Sequence, residues 1–216
     1  MHDDEMASDP SEYWARRRSL SPSPVQQAVA DGDRRLSVLA DVSESTVRTA
    51  SRPLLEQLDE FSCLRVTPPD DLHLTTKLFN AGQSPTGRID ADHVHQLISQ
   101  VAAETTSFAV EFPRLNLFPD TVYAEADGDG ALTRLNRLFC QAAETTDTDR
   151  DCEAFIPHLT LGYFTDDEDY DELIDYMEAN RDPELPTLTV DELALVSFDT
   201  TSDRHTVAET IATYTL

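Results

Sequence analysis

The sequence HLTTKLF occupies residues 73–79, and a closely similar stretch, HLTLGYF, occupies residues 158–164. The two stretches agree at the histidine, the leucine, the first threonine and the final phenylalanine. Both are short apolar-rich runs of the kind that form β-strands. We therefore predict two related strands, each of which carries the pattern His-x-Thr.

Side-chain alternation predicts which residues of each strand share a face, because successive side chains of a regular strand point to opposite sides of the sheet. In the first stretch, the face that begins with the histidine carries His73, Thr75, Lys77 and Phe79. The corresponding face of the second stretch carries His158, Thr160, Gly162 and Phe164. We predict that this face of each strand carries chemistry and that the other face packs under helices.

The rest of the chain predicts an α+β fold. Apolar residues recur with strand or helix spacing in the order strand, helix, strands, first His-x-Thr strand, helix, strands, helix, second His-x-Thr strand, helix and strands. Residues 34–216 are predicted to form one domain, in which each half is an antiparallel sheet backed by helices. Residues 1–33 are polar, contain several prolines and lack sustained periodicity, so we expect a flexible N-terminal extension.

The composition is strongly acidic. The chain has 42 acidic and 16 basic residues, a formal net charge of −26, and a single lysine, Lys77. Because apolar core residues persist beside this acid excess, we predict a folded protein adapted to molar salt and not a disordered chain. An acidic surface normally repels nucleic acid, but at ~1 M salt the Debye length is only about 3 Å, so an RNA substrate stays compatible with the charge.

Other features of the sequence predict a cytoplasmic protein with reduced cysteines. The chain has no run of about 18 apolar residues, and it begins MHDDEM, which is not the start of a secretory leader. The cysteines, Cys63, Cys140 and Cys152, are odd in number and have no CxxC spacing. Neither a disulfide framework nor a zinc site is therefore predicted.

The repeated pattern suits acid–base chemistry at phosphorus. Imidazole has an ordinary pKa of about 6.5, so a facing pair, His73 and His158, can supply a general base and a general acid near pH 7. Thr75 and Thr160 each lie about 6.5–7 Å along the strand from their histidine, where a hydroxyl can hold a phosphate oxygen. Proton transfer combined with electrostatic positioning requires no metal or cofactor.

Four further residues on the predicted face are assigned roles. Lys77 would neutralise phosphate charge, and Gly162, its counterpart, would let a ligand approach the backbone. Phe79 and Phe164 either stack a base or belong to the core, and core packing is the more common role of such residues. The alternative to an active site is that the two stretches are core strands of a structural protein.

Paired His-x-Thr strands resemble those of the 2H phosphoesterase superfamily, and within it the 2'-5' RNA ligase-like proteins and RNA 2',3'-cyclic phosphodiesterases. The stretch from Pro157 to Gly162 looks especially similar to that family. The resemblance implies a bilobal fold, with two pseudo-symmetric antiparallel sheets, outer helices and a central cleft. It also implies metal-independent hydrolysis of 2',3'-cyclic phosphates, with 2'-5' ligation in some members, by His73 and His158 as the acid/base pair and Thr75 and Thr160 as phosphate-binding residues.

One departure from the family leaves the substrate open. Some cyclic phosphodiesterase branches have an arginine soon after the second motif, whereas Gly162, Tyr163 and Phe164 follow here. The expected substrate is an RNA end or a nucleotide, and the alternatives are a small molecule such as ADP-ribose cyclic phosphate and a module that binds RNA ends without turnover. We expect a monomer without a membrane partner.

Overall fold

The architecture is an antiparallel sheet with helices, described by a computed structural model for residues 9–24, 35–42, 45–79, 91–142, 150–198 and 207–216. The helices are α1 (Pro10–Arg16), α2 (Thr46–Leu58), α3 (Ala91–Ala103), α4 (Ala131–Ala142) and α5 (Tyr170–Ala179). The strands are β1 (Arg35–Asp41), β2 (Leu64–Val66), β3 (His73–Phe79), β4 (Phe108–Val110), β5 (Leu115–Phe118), β6 (Thr121–Glu125), β7 (His158–Phe164), β8 (Leu188–Val190), β9 (Glu192–Phe198) and β10 (Val207–Thr215). The prediction of an α+β fold with antiparallel sheets is confirmed.

The two His-x-Thr strands are neighbours at the centre of the main sheet. Its strand order is β10-β9-β1-β3-β7-β6-β5, and β2 pairs with β7 beside this path. Strands β3 and β7 share one pair, Leu74 opposite Leu159, and then diverge, so that β2 takes the place of β3 along the rest of β7. The two predicted sheets are thus joined into one sheet, while β4 and β8 form a separate pair.

Helices cover one face of this sheet because their apolar side chains recur at helical spacing. The buried residues of α2 are Val47, Ser51, Leu54, Leu55 and Leu58, and those of α5 are Tyr170, Leu173, Ile174 and Met177. The apolar residues of both sets join Leu74 and Leu159 in a continuous core, on the face opposite the histidines. In the described parts of the chain, no helix combines the length and apolar character that crossing a bilayer requires.

The N-terminal segment differs from the expected flexible extension at residues 9–24. Helix α1 is capped by Asp9, and Tyr13 is fully buried against the opposite face of the sheet from the main core. Arg17 and Tyr170 fasten the segment, since the Tyr170 hydroxyl donates to the Arg17 carbonyl (2.6 Å) and Arg17 pairs with Glu178 (2.6 Å). A seven-residue helix is too short for its periodicity to stand out in the sequence. The remaining residues of the predicted extension lie outside the described ranges.

The cysteines also differ from expectation. Cys140 at the end of α4 and Cys152 in a short 3-10 helix form a disulfide, so the prediction of reduced thiols is wrong for this pair. Cys63 is a buried thiol. The pairing depends on how the chain returns from α4 to β7, which cysteine spacing alone does not reveal.

Candidate active site

The two histidines lie on one face of the sheet, where β3 meets β7. The pair Leu74–Leu159 fixes the register, and one residue further in each direction His73 lies beside Thr160 and Thr75 lies beside His158. Diagonal neighbours on one face of an antiparallel pair are about 7–8 Å apart, which is the relation between His73 and His158. We call this side of the sheet the motif face, defined by His73, Thr75, His158 and Thr160.

Both imidazoles are held in the same way. The Nδ1 atom of His73 lies 2.7 Å from the Asp71 carbonyl, and the Nδ1 atom of His158 lies 2.7 Å from the Ile156 carbonyl. A carbonyl oxygen only accepts, so each Nδ1 carries the hydrogen and donates it. The proton that each ring gains or loses is therefore the one on Nε2.

A β-bulge in β3 changes the predicted faces after Thr75. Leu39 of β1 lies opposite Thr75, and the next residue, Val38, lies opposite Lys77. Thr76 is thus the extra residue of the bulge; it is fully buried, and its hydroxyl donates to the Val38 carbonyl (2.8 Å). An inserted residue reverses the alternation that follows it. Lys77 therefore lies on the helix-covered face and not on the motif face.

A second bulge stands at the same position of β7. Thr160 and Gly162 lie opposite consecutive residues of β6, so Leu161 is the extra residue. The bulge turns Gly162 away from the motif face and brings Tyr163 onto it. A Cβ at Gly162 would lie 3.3 Å from the Arg65 carbonyl oxygen, so the close neighbour is strand β2, and the predicted ligand approach at Gly162 is wrong.

The expected role of Lys77 at a phosphate is not supported by its position. Its side chain is fully buried, and its ammonium forms an ion pair with Asp151. Asn136 closes the network, since its amide donates to the Asp151 carboxylate (2.6 Å) and to the Thr76 carbonyl (2.8 Å). The prediction that Lys77 shares a face with His73 is wrong because simple alternation does not allow for the bulge.

Phe79 and Phe164 also lie on the helix-covered face. Phe79 packs edge-on against Phe139 at 6.4 Å between ring centroids, and Phe164 packs against Tyr170 at 5.6 Å. Both belong to the main core. The core interpretation of these two residues is confirmed, and base stacking by them is not supported.

An aromatic wall adjoins His158. Phe118 lies perpendicular to the imidazole at 5.1 Å between ring centroids, Tyr123 lies at 5.4 Å, and Tyr13 of α1 packs on Phe118 at 5.1 Å. All three aromatic residues are fully buried. Sequence analysis missed them, although the alternation of β5 and β6 puts Phe118 and Tyr123 on one side. Only the strand order shows that this side is the motif face.

A cation stands near His158. Arg150 forms two hydrogen bonds of 2.6 Å with the Asp120 carboxylate, and its guanidinium lies 4.5 Å from the centre of the Phe118 ring. Burial lowers the pKa of His158 to about 4, and the positive charges of Arg150 and His73 act in the same direction. The carbonyl of Ile156 and the Asp120 carboxylate oppose the shift of this pKa. His158 is therefore neutral at pH 7.

The charged groups that act on His73 are the carboxylates of Asp71 and Asp41. Burial lowers the pKa of His73, while its hydrogen bond to the Asp71 carbonyl and the negative charges of Asp71 and Asp41 oppose the decrease. The two imidazoles thus have equivalent hydrogen bonds but different charged neighbours, which are Arg150 and Asp120 near His158 and Asp71 and Asp41 near His73. Such different surroundings act unequally on the two pKa values.

Beyond Thr160, the motif face continues with Tyr163 and Arg65. Arg65 of β2 lies directly opposite Tyr163 of β7, and its guanidinium is 5.7 Å from the centre of the tyrosine ring. Burial raises the pKa of Tyr163, and a hydrogen bond with the Thr160 hydroxyl acts against this increase. Both side chains are half-buried.

The group of residues that resembles a metal site lies elsewhere. Within the described ranges, Cys140, Asp151 and Cys152 are the only cluster of potential ligands with suitable spacing. Two of them are joined in the disulfide, and Asp151 is paired with Lys77. This cluster lies beside the buried network on the helix-covered face and does not adjoin the histidines.

Comparison with solved structures supports the fold assignment. A crystal structure described as a phosphoesterase has a TM-score of 0.59 and 19% identity, and the match covers 85% of this chain and 98% of that one. The E. coli protein LigT in complex with 3'-AMP has a TM-score of 0.59 and 17% identity, over 86% of this chain and 99% of LigT. At these identities the similarity establishes the fold alone.

Comparison of sequences identifies the family. The RNA 2',3'-cyclic phosphodiesterase of Archaeoglobus fulgidus is 28% identical over 134 residues, which cover 59% of this chain and 71% of that protein. A model of the 2'-5' RNA ligase superfamily matches residues 47–202, which include both His-x-Thr strands. This chain therefore belongs to the 2'-5' RNA ligase superfamily.

Proposed function

We propose that this protein hydrolyses a 2',3'-cyclic phosphate at the end of an RNA or nucleotide, using His73 and His158 as the acid/base pair. The observation that carries the proposal is the arrangement of the two imidazoles, which lie side by side on the motif face with identical Nδ1 hydrogen bonds. The family and the name of the Archaeoglobus relative support this reaction class.

The reaction needs one proton acceptor and one proton donor. The oxygen of a water molecule bonds to phosphorus while Nε2 of one neutral imidazole takes the proton of that water. One P–O bond of the cyclic phosphate breaks, and its oxygen takes a proton from Nε2 of the other imidazole, which begins as an imidazolium. The product is a phosphomonoester beside a ribose hydroxyl. The same geometry serves ligation when a 5'-hydroxyl end replaces the water.

The charged neighbours favour His158 as the base and His73 as the acid. Burial and the positive charge of Arg150 keep the pKa of His158 low, at about 4, so its Nε2 is ready to accept a proton. Burial lowers the pKa of His73 as well, but the hydrogen bond to the Asp71 carbonyl and the negative charges of Asp71 and Asp41 oppose this decrease. The phosphate of a bound substrate adds further negative charge and favours an imidazolium at that position.

The threonines are proposed to hold the phosphate. Each hydroxyl lies beside the histidine of the other strand, since Thr75 neighbours His158 and Thr160 neighbours His73. Donation to the non-bridging oxygens would fix phosphorus between the two rings and stabilise negative charge in the transition state. Lys77 has no part in this proposal, because it is buried on the other face.

Turnover of an oligoribonucleotide with a 2',3'-cyclic phosphate end tests the proposal, in ~2 M KCl with EDTA, where the Debye length is below about 3 Å. We expect wild type to produce a phosphomonoester and His73→Ala and His158→Ala each to lose about 10²–10⁴-fold in rate. His93→Ala, which changes an exposed histidine of α3, is the matched control and should keep full activity. Equal activity in all four proteins would remove the two histidines from the mechanism, and tight binding of the end without turnover would favour a binding module.

The salt optimum is a separate prediction. A net charge of −26 destabilises the compact state through self-repulsion, which salt screens. We expect activity to increase from low salt toward ~2 M KCl, where repulsion is screened over about 3 Å. Maximal activity at low salt would contradict the salt-adapted interpretation without affecting the two-histidine mechanism.

A further inference from the structure

Arg65 occupies a special position next to the proposed phosphate site. Strands β3 and β7 share only the pair Leu74–Leu159, so the motif face beyond Thr160 is bordered by β2. Arg65 points to this face because it is paired directly with Tyr163, which the bulge in β7 places there. Arg65 thus lies on the same face as Thr160, which is proposed to hold the cyclic phosphate. It is opposite Tyr163, the next residue after Thr160 on that face.

Arg65 also differs from the cations that pair with carboxylates. Ion pairs hold the side chains of Arg17, Arg18, Arg48, Lys77, Arg150 and Arg181. Within the part of the chain that the structure describes, Arg65 contacts no carboxylate, although acidic residues far outnumber basic ones. The ring of Tyr163 lies within cation–π range of its guanidinium. Among the described residues, no carboxylate therefore pairs with its positive charge.

Tyr163 connects this cation to the proposed phosphate site. Its ring lies within cation–π range of Arg65, with the guanidinium carbon 5.7 Å from the ring centre, and its hydroxyl hydrogen-bonds with Thr160. A guanidinium attracted to an aromatic ring keeps its N–H groups available for an anion. Because Arg65 is half-buried, bulk salt screens an anion bound there less than it screens a fully exposed pair.

We infer that Arg65, held by Tyr163, binds a second anionic group of the substrate, the phosphate on the 5' side of the ribose that carries the cyclic phosphate. The inference rests on the proposed function and narrows its substrate class. RNA ends and 5'-phosphorylated nucleotides carry such a group, whereas a nucleoside 2',3'-cyclic phosphate does not. Guanidinium and phosphate form charge-assisted, often bidentate hydrogen bonds, so Arg65 selects substrates with this second phosphate.

Three substrates measured on wild type and Arg65→Ala test the inference. They are adenosine 2',3'-cyclic phosphate, its 5'-phosphorylated form, and an adenylyl dinucleotide with a 2',3'-cyclic phosphate end. A hydrogen bond to a charged group contributes about 1.5–3 kcal/mol, so Arg65→Ala should reduce kcat/KM about 10–100-fold on the two substrates with a 5' phosphate. On the nucleoside substrate we expect a change below about threefold, because that substrate lacks the group that Arg65 binds. A loss on the dinucleotide alone would assign the site to a phosphodiester, and a loss on both to any 5' phosphate.

Matched variants separate charge from structure. Arg65→Lys should recover part of the preference, because it keeps the charge but not the fork of donors. Tyr163→Phe keeps the ring under Arg65 and removes the hydroxyl at Thr160, so it should slow all three substrates while the preference for a 5' phosphate persists. Arg52→Ala, an exposed arginine of α2, is the control and should leave every rate unchanged.

Equal losses on all three substrates in Arg65→Ala, or no loss on any, would overturn the inference while leaving the hydrolase intact. Failure of wild type to hydrolyse any of them would instead overturn the proposed function. Calorimetry on His158→Ala measures binding without turnover. It therefore tests the role of Arg65 separately from the proposed hydrolase function. In that background the 5'-phosphorylated cyclic nucleotide should bind about tenfold or more tightly than the nucleoside form, and Arg65→Ala should abolish the difference. Equal affinities with Arg65 present would contradict the inference directly.

Discussion

The two His-x-Thr strands are alike as far as the threonine and then diverge. In β3 and β7 the histidine donates to the carbonyl two residues earlier, the threonine follows on the same face, and a bulge comes next. The fifth position is then the buried cation Lys77 in one strand and Gly162 against β2 in the other. The comparison teaches that the shared part carries the proposed chemistry, while the unshared part adapts each strand to its own neighbours.

The charged surroundings of the two histidines differ in the same way. Arg150 adds positive charge near His158, and Asp41 and Asp71 add negative charge near His73. A nearly symmetric pair of strands thus places different charges beside its two histidines, although burial lowers the pKa of both. The following predictions test this comparison, from the largest expected effect to the smallest.

Removing the buried charge at the fifth position of β3 should have the largest effect. Lys77→Met leaves the Asp151 carboxylate buried without its partner, so we expect the free energy of unfolding to fall by about 3–5 kcal/mol. Urea unfolding in high salt measures the change. Lys77→Met combined with Asp151→Leu should recover much of the loss, since no buried charge remains. Arg48→Met, which breaks the partly exposed pair with Asp70, should cost less than about 1 kcal/mol. An equally small change in Lys77→Met would contradict the structural role of Lys77.

At the same position of β7, the added methyl group of Gly162→Ala tests the close approach of β2. A Cβ would lie 3.3 Å from the Arg65 carbonyl oxygen, so the strands must move apart slightly, and we expect a loss of stability of about 1–3 kcal/mol. The same unfolding assay measures it. Because the shift would also displace Arg65, the variant should lose part of its preference for a 5' phosphate. Unchanged stability would indicate that β2 adjusts freely at this point.

Arg150→Gln should make the two histidines more alike. Removing the positive charge near His158 favours its protonated form, so its pKa should rise from about 4 toward its ordinary value. NMR titration of the imidazole measures this directly, and the acid limb of the kcat/KM profile should move to higher pH if His158 is the base. Arg52→Gln, which changes an exposed arginine of α2, is the control. A decrease in the pKa of His158 would contradict the influence assigned to Arg150, and a shift of the alkaline limb alone would reverse the assigned roles.

The smallest predicted effect is that of salt on the pKa values of His73 and His158, which should change by different amounts. Asp41 is exposed, so at high salt its influence on His73 is screened and the pKa of His73 should fall slightly. His158 should respond less, because Arg150 and Asp120 are only partly exposed. NMR titrations at low and high salt test the difference. Equal shifts of both histidines would argue against Asp41 as the distinguishing charge.

The sequence alone determined the two His-x-Thr strands, the α+β class and the order of the central helices. Strand and helix periodicity are local properties, so apolar spacing around Leu74 and Leu159 suffices to predict them. The repeated histidine and threonine were recognisable because they precede the bulges, where alternation still holds. Phe79 and Phe164 follow the bulges, so the face predicted for them was wrong. Their residue type alone supported their assignment to the core.

Only the tertiary structure decided what lies around the motifs. A bulge depends on the partner strand, so the reversal that buries Lys77 and brings Tyr163 beside Arg65 has no signal in the alternation of either strand. Lys77 and Asp151 are 74 residues apart, and the disulfide and the docking of Tyr13 likewise join distant segments. Such contacts arise from the packing of the whole chain, because burial and charge pairing depend on neighbours in space and not on neighbours in sequence.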